Sequence, residues 1–152
     1  MVVYRIVKQK NRTTDLSGTG AHREGGRWNN TGTYAVYTSE SRSLAALELL
    51  VHLDEPEAPP GLFIMSIEIN NRAAIYEIPD TDLPQDWRSP ENSALKNMGD
   101  KFLADIKYVA IKVRSAIMPF EYNYILNPLY QKFHNEVKIV NVETYSLDER
   151  LL

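Results

Sequence analysis

The chain has 152 residues, with 17 Lys and Arg against 20 Asp and Glu and no cysteine. That length suits one hydrophobic core, and the lack of thiols excludes disulfide scaffolds, Cys-ligated zinc, iron–sulfur clusters and thiol nucleophiles. A formal charge of −3 gives no general attraction to phosphate backbones, which disfavours a nucleic-acid binder, and no segment reaches the roughly 20 apolar residues that cross a bilayer.

Met1-Val2-Val3-Tyr4-Arg5-Ile6 lacks the basic, apolar and cleavage regions of a secretory leader, so a cytoplasmic protein is expected. Val2 to Val7 predicts a first strand. Lys8 to Gly32 is polar and holds five of the seven glycines (Gly18, Gly20, Gly25, Gly26, Gly32) without a proline, the pattern of a structured binding loop rather than a linker. Tyr34 to Tyr37 predicts a second strand, and Ser39 or Ser41 an N-cap for a helix running to about Leu53. Leu44, Ala45, Leu47, Leu49, Leu50 and Val51 make that helix apolar almost all round, which predicts burial. Glu48 then lies beside an apolar stripe. A buried carboxylate needs a partner or a task, and Arg27 or a loop amide is the expected partner.

Pro56, Pro59, Pro60 and Gly61 punctuate the chain before a strand in which Phe63, Met65, Ile67 and Ile69 alternate with Ile64, Ser66 and Glu68, predicting one buried face. Ala74 to Ile78 reads as a short strand, Pro79 to Pro90 as a polar loop carrying Trp87, and Glu91 to Asp105 as a weaker helix. Tyr108 to Val113, Tyr122 to Leu126 and Val137 to Val142 complete the strands. The pattern is α+β, a single domain over residues 1–152 with helices packed on small twisted β-sheets.

There is no Gly-Lys-Ser/Thr phosphate loop, no G-x-G-x-x-G opening a helix and no H-E-x-x-H. His22, His52 and His134 lack partners at metal-ligand spacing, so they read as structural and no metal site is expected. What remains is Arg27-Trp28-Asn29 beyond Gly25-Gly26, Tyr37 at a strand end, and Glu48. Adjacent glycines let backbone approach a ligand, and the Arg27 fork suits a diphosphate or carboxylate. A Gly-Gly turn whose Arg pairs with an acid while Trp28 fills the core explains the same residues. Ser115 reads equally as a turn residue, and Asn123, in Glu121-Tyr122-Asn123-Tyr124 before Asn127-Pro128, as an edge residue or a ligand contact.

Taken together, Tyr4-Arg5-Ile6, Gly25-Gly26-Arg27-Trp28-Asn29, Tyr37-Thr38-Ser39-Glu40-Ser41, Ala46-Leu47-Glu48-Leu49-Leu50, Gly99-Asp100, Val113-Arg114-Ser115 and Asn123-Tyr124-Ile125-Leu126-Asn127-Pro128 resemble the RES domain family in order and spacing. The resemblance implies a fold similar to ADP-ribosyltransferases, NAD as substrate rather than a prosthetic group, and a toxin of a bacterial toxin–antitoxin pair neutralised by an Xre-type antitoxin, with a homodimer within that complex as the assembly to look for. It implies cleavage of the nicotinamide–ribose bond by hydrolysis or phosphorolysis; transfer of ADP-ribose to a protein and a catalytically silent binding module are the alternatives. Carried over by residue, the family Arg, Glu and Ser fall on Arg27, Glu48 and Ser115, with Tyr37 the pocket aromatic. Arg27, Tyr37 and Glu48 are then the catalytic candidates, and Arg27, Asn29, Tyr37, Ser115 and Asn123 the NAD-binding ones. Two departures fall near the expected pocket: Arg114 where proline is frequent, and Leu129-Tyr130 where His-Pro is usual.

Overall fold

The computed structural model describes residues 1–54 and 59–152, so the predicted breaker Pro56 lies outside the described residues. Seven strands form one mixed sheet in the order β4-β5-β6-β2-β1-β3-β7: β1 (Val2–Val7), β2 (Val36–Ser39), β3 (Leu62–Ile69), β4 (Ile75–Glu77), β5 (Ala110–Arg114), β6 (Tyr122–Leu126) and β7 (Val137–Tyr145). Only β4 and β5 run parallel. The α+β class holds, but one seven-stranded sheet stands where small sheets were expected. β1 meets β3 through six register pairs, whereas β1 and β2 share the single pair Tyr4 and Ser39. That single pair joins the β4-β5-β6-β2 half to the β1-β3-β7 half.

Among the described residues there are four α-helices: α1 (Thr19–Glu24), α2 (Arg42–Leu50), α3 (Ser93–Ala104) and α4 (Phe133–Glu136). Ser41 caps α2, its hydroxyl accepting from the Leu44 amide, and Asn92 caps α3 by accepting from the amides of Ala94 and Leu95. α2 is less enclosed than its composition predicts. It ends at Leu50, it buries Leu44, Ala45 and Ala46, and Val51 is 58% exposed.

Along β5 and β6, Ala110, Tyr124 and Leu126 join one apolar cluster while Ile111, Val113 and Ile125 join another. Alternate side chains therefore meet a core on each face of this half-sheet. The second cluster is closed by Leu95 and Leu103 of α3 and by Trp28, each such buried apolar side chain contributing about 1.5–3 kcal/mol. β3 was expected to bury one face, but Leu62, Ile64, Met65, Ser66, Ile67 and Ile69 are all buried. It lies between β1 and β7, and the Arg42 side chain of α2 reaches Ser66 on the face opposite the Met65 cluster.

The predicted loop from Lys8 to Gly32 contains a helix, α1. Gly25 ends it at φ 76°, a left-handed value that glycine adopts without strain.

Candidate active site

A cavity of about 610 Å³ opens beside β1 and β2, and Arg5, Arg27, Tyr37, Glu48, Lys96 and Asn123 are among the residues that line it. Its volume lies within the roughly 300–1,000 Å³ of small-molecule sites.

Glu48 is half-buried on α2, and its partners are not Arg27 or a loop amide. Ser115 Oγ donates to Glu48 Oε1 at 2.9 Å, and Asn123 Nδ2 donates to the same oxygen at 2.6 Å. Both donors are fixed. The Ser115 hydroxyl accepts from the amides of Ile117 and Met118, so its one proton points at Glu48. Asn123 Oδ1 accepts from Ser39 Oγ at 2.7 Å, which turns its amide nitrogen toward the carboxylate. Oε1 is thereby saturated, and among the described residues no donor takes Oε2. Ser115 itself is fully buried and off the cavity wall. Its hydroxyl grips Glu48.

Arg27 is tied to backbone rather than to an acid. Its Nη1 donates to the carbonyls of Trp87 at 3.1 Å and Ser89 at 2.9 Å, and among the described residues no protein acceptor takes its other nitrogens. The Tyr37 hydroxyl donates to Asn29 Oδ1 at 2.6 Å and accepts from the Trp28 amide at 2.9 Å. Burial pushes its pKa well above the ordinary tyrosine range, the Trp28 amide pulling the other way, so the phenol stays neutral. Asn29 is fully buried and away from the cavity. Its Nδ2 reaches the carbonyls of Ala21, Asn30 and Thr33, so it organises the glycine loop. A Cβ on Gly26 would collide with the Tyr37 hydroxyl. That glycine admits Tyr37 to the loop.

α3 presses on the same loop from outside. Lys96 Nζ donates to the Gly26 carbonyl, Asp100 accepts from the Asn30 amide and from Asn30 Nδ2, and a Cβ at Gly99 would overlap the Trp28 carbonyl. Sequence reasoning did not assign these contacts.

It also passed over Arg5 as a site residue. Alternation puts Arg5 on the same face of β1 as the buried Val3 and Val7, a signal legible in Val3-Tyr4-Arg5-Ile6-Val7. Its Nη1 donates to the Tyr37 carbonyl at 3.4 Å, and its buried Nε has no acceptor among the described residues. Burial first and Arg12 second lower its pKa, and arginine remains charged even so.

Neither departure from the family pattern touches the cavity wall. Leu129 and Tyr130 form a turn on Asn127, their amides donating to its side chain and its carbonyl, and Arg114 faces Trp87 and Phe120. His52 is an exposed residue at the cavity, while His22 stacks on Tyr34. Among the described residues no cluster of three His, Asp or Glu could hold a metal, and no helix is long and apolar enough to cross a membrane.

The sequence pattern described as RES domain matches residues 2–148. A protein named Toxin Res from Photorhabdus laumondii is 38% identical over 100% of this chain and 97% of its own. One named Prs ADP-ribosylating toxin from a Sphingobium species is 31% identical over 91% of this chain and 87% of its own. Among solved structures, one from the M. tuberculosis MbcT–MbcA toxin–antitoxin complex superposes with a TM-score of 0.71 at 18% identity, covering 99% of this chain and 85% of that one. At that identity the likeness is one of fold.

Proposed function

The chain belongs to the RES domain family, and from that premise we propose that it is a toxin that consumes NAD by breaking the nicotinamide–ribose bond. The observation that carries the reading is the meeting of Arg27, Tyr37, Glu48 and Asn123 on one cavity. The bond breaks with its electron pair passing to the pyridinium nitrogen, so nicotinamide leaves neutral and needs no strong acid. The ribose C1′ takes on oxocarbenium character. A carboxylate already held on one oxygen by two donors presents the other to that charge without reorganising.

Arg27, with Nη1 anchored, offers its remaining donors to the diphosphate, and the unpaired Nε of Arg5 adds to that attraction. Tyr37, fixed by its hydroxyl, gives the nicotinamide a flat neighbour. Ser115 and Asn29 act through Glu48 and Tyr37. In hydrolysis a water oxygen bonds to C1′ and gives up one proton, for which Glu48 Oε2 is the acceptor we assign; in phosphorolysis a phosphate oxygen takes the water's place.

Purified protein incubated with NAD, with and without phosphate, should release nicotinamide, and Glu48→Ala or Arg27→Ala should abolish release while the chain stays folded. Equal activity in all three would sink the assignment.

The 31% identical relative named as an ADP-ribosylating toxin supports a second reading, transfer of ADP-ribose to a cellular protein. Labelled NAD separates the two: label fixed on protein means transfer, and free ADP-ribose or its phosphorylated product means breakdown. On either reading we assign an Xre-type antitoxin as partner, a cytoplasmic site of action and no direct nucleic-acid contact, with a homodimer within the complex to be tested by mass measurement.

A further inference from the structure

We infer that Arg114 is a positioning residue that fixes the backbone to which Arg27 is anchored. The segment that anchors Arg27 is held by Trp87 packing on the second core cluster and by Asn92 Nδ2 donating to Asp86, but it carries little burial of its own. From Pro84 to Pro90 no residue is buried, and Gln85, Asp86, Arg88 and Pro90 are exposed. Yet Trp87 and Ser89 present the two carbonyls that receive Arg27 Nη1.

Arg114 lies across this segment. Its side chain is 17% exposed, and its guanidinium lies 5.4 Å from the Trp87 ring centre and 5.2 Å from that of Phe120. Its Nε donates to the Pro119 carbonyl, and its Nη1 lies 3.5 Å from Asp80. One planar cation thus joins β5, the turn after it and the segment around Trp87. A reciprocal strut runs back, with Arg88 Nε donating to the Ala116 carbonyl at 2.9 Å. In this chain the Arg27 platform is therefore held in part by the Arg114 side chain.

The functional consequence rests on the NAD reading, and the structural one does not. The amides of Trp87 and Ser89 are hydrogen-bonded within the segment, to the carbonyls of Pro84 and Asp86, so their hydrogen exchange reports directly on its order. The test compares wild type with Arg114→Lys, which keeps a charge beside Asp80 but not the planar stack, and with Arg114→Ala.

Both variants should exchange the Trp87 and Ser89 amides about tenfold faster, with β1 and β3 unchanged. KM for NAD should rise about tenfold while kcat stays within about threefold, the signature of lost binding and not of lost chemistry. Arg114→Lys is the decisive variant if Arg114→Ala does not fold. Unchanged exchange in a folded variant overturns the proposal, as does a fall in kcat at constant KM. If wild type releases no nicotinamide, the NAD reading fails and the exchange result alone decides whether Arg114 orders the segment.

Discussion

Ser115 and Glu48 are locked into one donor–acceptor sense. The serine hydroxyl already accepts two backbone amides, so its proton has only the carboxylate to go to. Ser115→Ala removes that donor and also leaves the part-buried amides of Ile117 and Met118 short of an acceptor. Stability should fall by about 1–3 kcal/mol, and nicotinamide release should fall about ten- to a hundredfold as Glu48 loses its orientation. Denaturant unfolding and initial rates check the two effects separately. Full activity in a folded Ser115→Ala protein would remove the serine from the site.

Glu48→Gln tests charge apart from shape. A glutamine carbonyl oxygen can replace Oε1 and keep the bonds from Ser115 and Asn123. The fold and NAD binding should survive, with the dissociation constant within about threefold, whereas turnover should drop at least about a hundredfold because no negative charge faces the developing cation. Calorimetric titration with NAD set beside product release gives the split. A fall in binding equal to the fall in rate would mean that Glu48 serves only to hold substrate.

Gly99→Ala should reverse the usual sign. In a helix interior alanine is better than glycine by about 1 kcal/mol, but here the new methyl meets the Trp28 carbonyl, which cannot rotate away as a side chain would. Overpacking costs about 1–3 kcal/mol, so net destabilisation is expected, together with loss of activity because Trp28 adjoins Arg27. A stabilised, active Gly99→Ala protein would show that α3 can back off without disturbing the loop.

Tyr37 sets an alkaline limit on stability. Its folded pKa is raised, chiefly by burial, so the phenol is neutral in both folded and unfolded chains below the ordinary value of about 10. Above that pH the unfolded chain gives up the proton first and binds fewer protons than the folded one. Stability therefore falls as pH rises from about 10 toward the folded pKa. Tyr37→Phe should flatten this limb, and absorbance titration of the folded protein should lose a late-ionising component in that variant. A Tyr37 that titrates with exposed tyrosines would contradict the buried hydrogen-bonded hydroxyl.

Strand identity was legible where residues alternate or branch at Cβ: Val2 to Val7 and Tyr122 to Leu126 are found with the predicted bounds. β2 begins two residues later than predicted, because Tyr34 stacks on His22 instead of pairing. α1 was hidden by its own Gly20 and by its brevity, although Ala21-His22-Arg23-Glu24 before Gly25 is a helix ending with basic residues in its last turn. The candidate residues converge in part. Arg27, Tyr37, Glu48 and Asn123 line one cavity, while Asn29 and Ser115 are buried behind it. A one-dimensional pattern marks such polar residues without saying whether a hydroxyl faces a ligand or a neighbouring carboxylate. That depends on pairs 67 and 75 residues apart, Ser115 and Asn123 with Glu48.

The single register pair between β1 and β2 has a further consequence for what the cavity can offer. Ladder bonds normally consume the amides and carbonyls of neighbouring strands. Beside the one pair, the Tyr37 carbonyl is met by the Arg5 side chain. A ligand that met main-chain atoms there would be held by groups that side-chain replacement along either strand leaves in place.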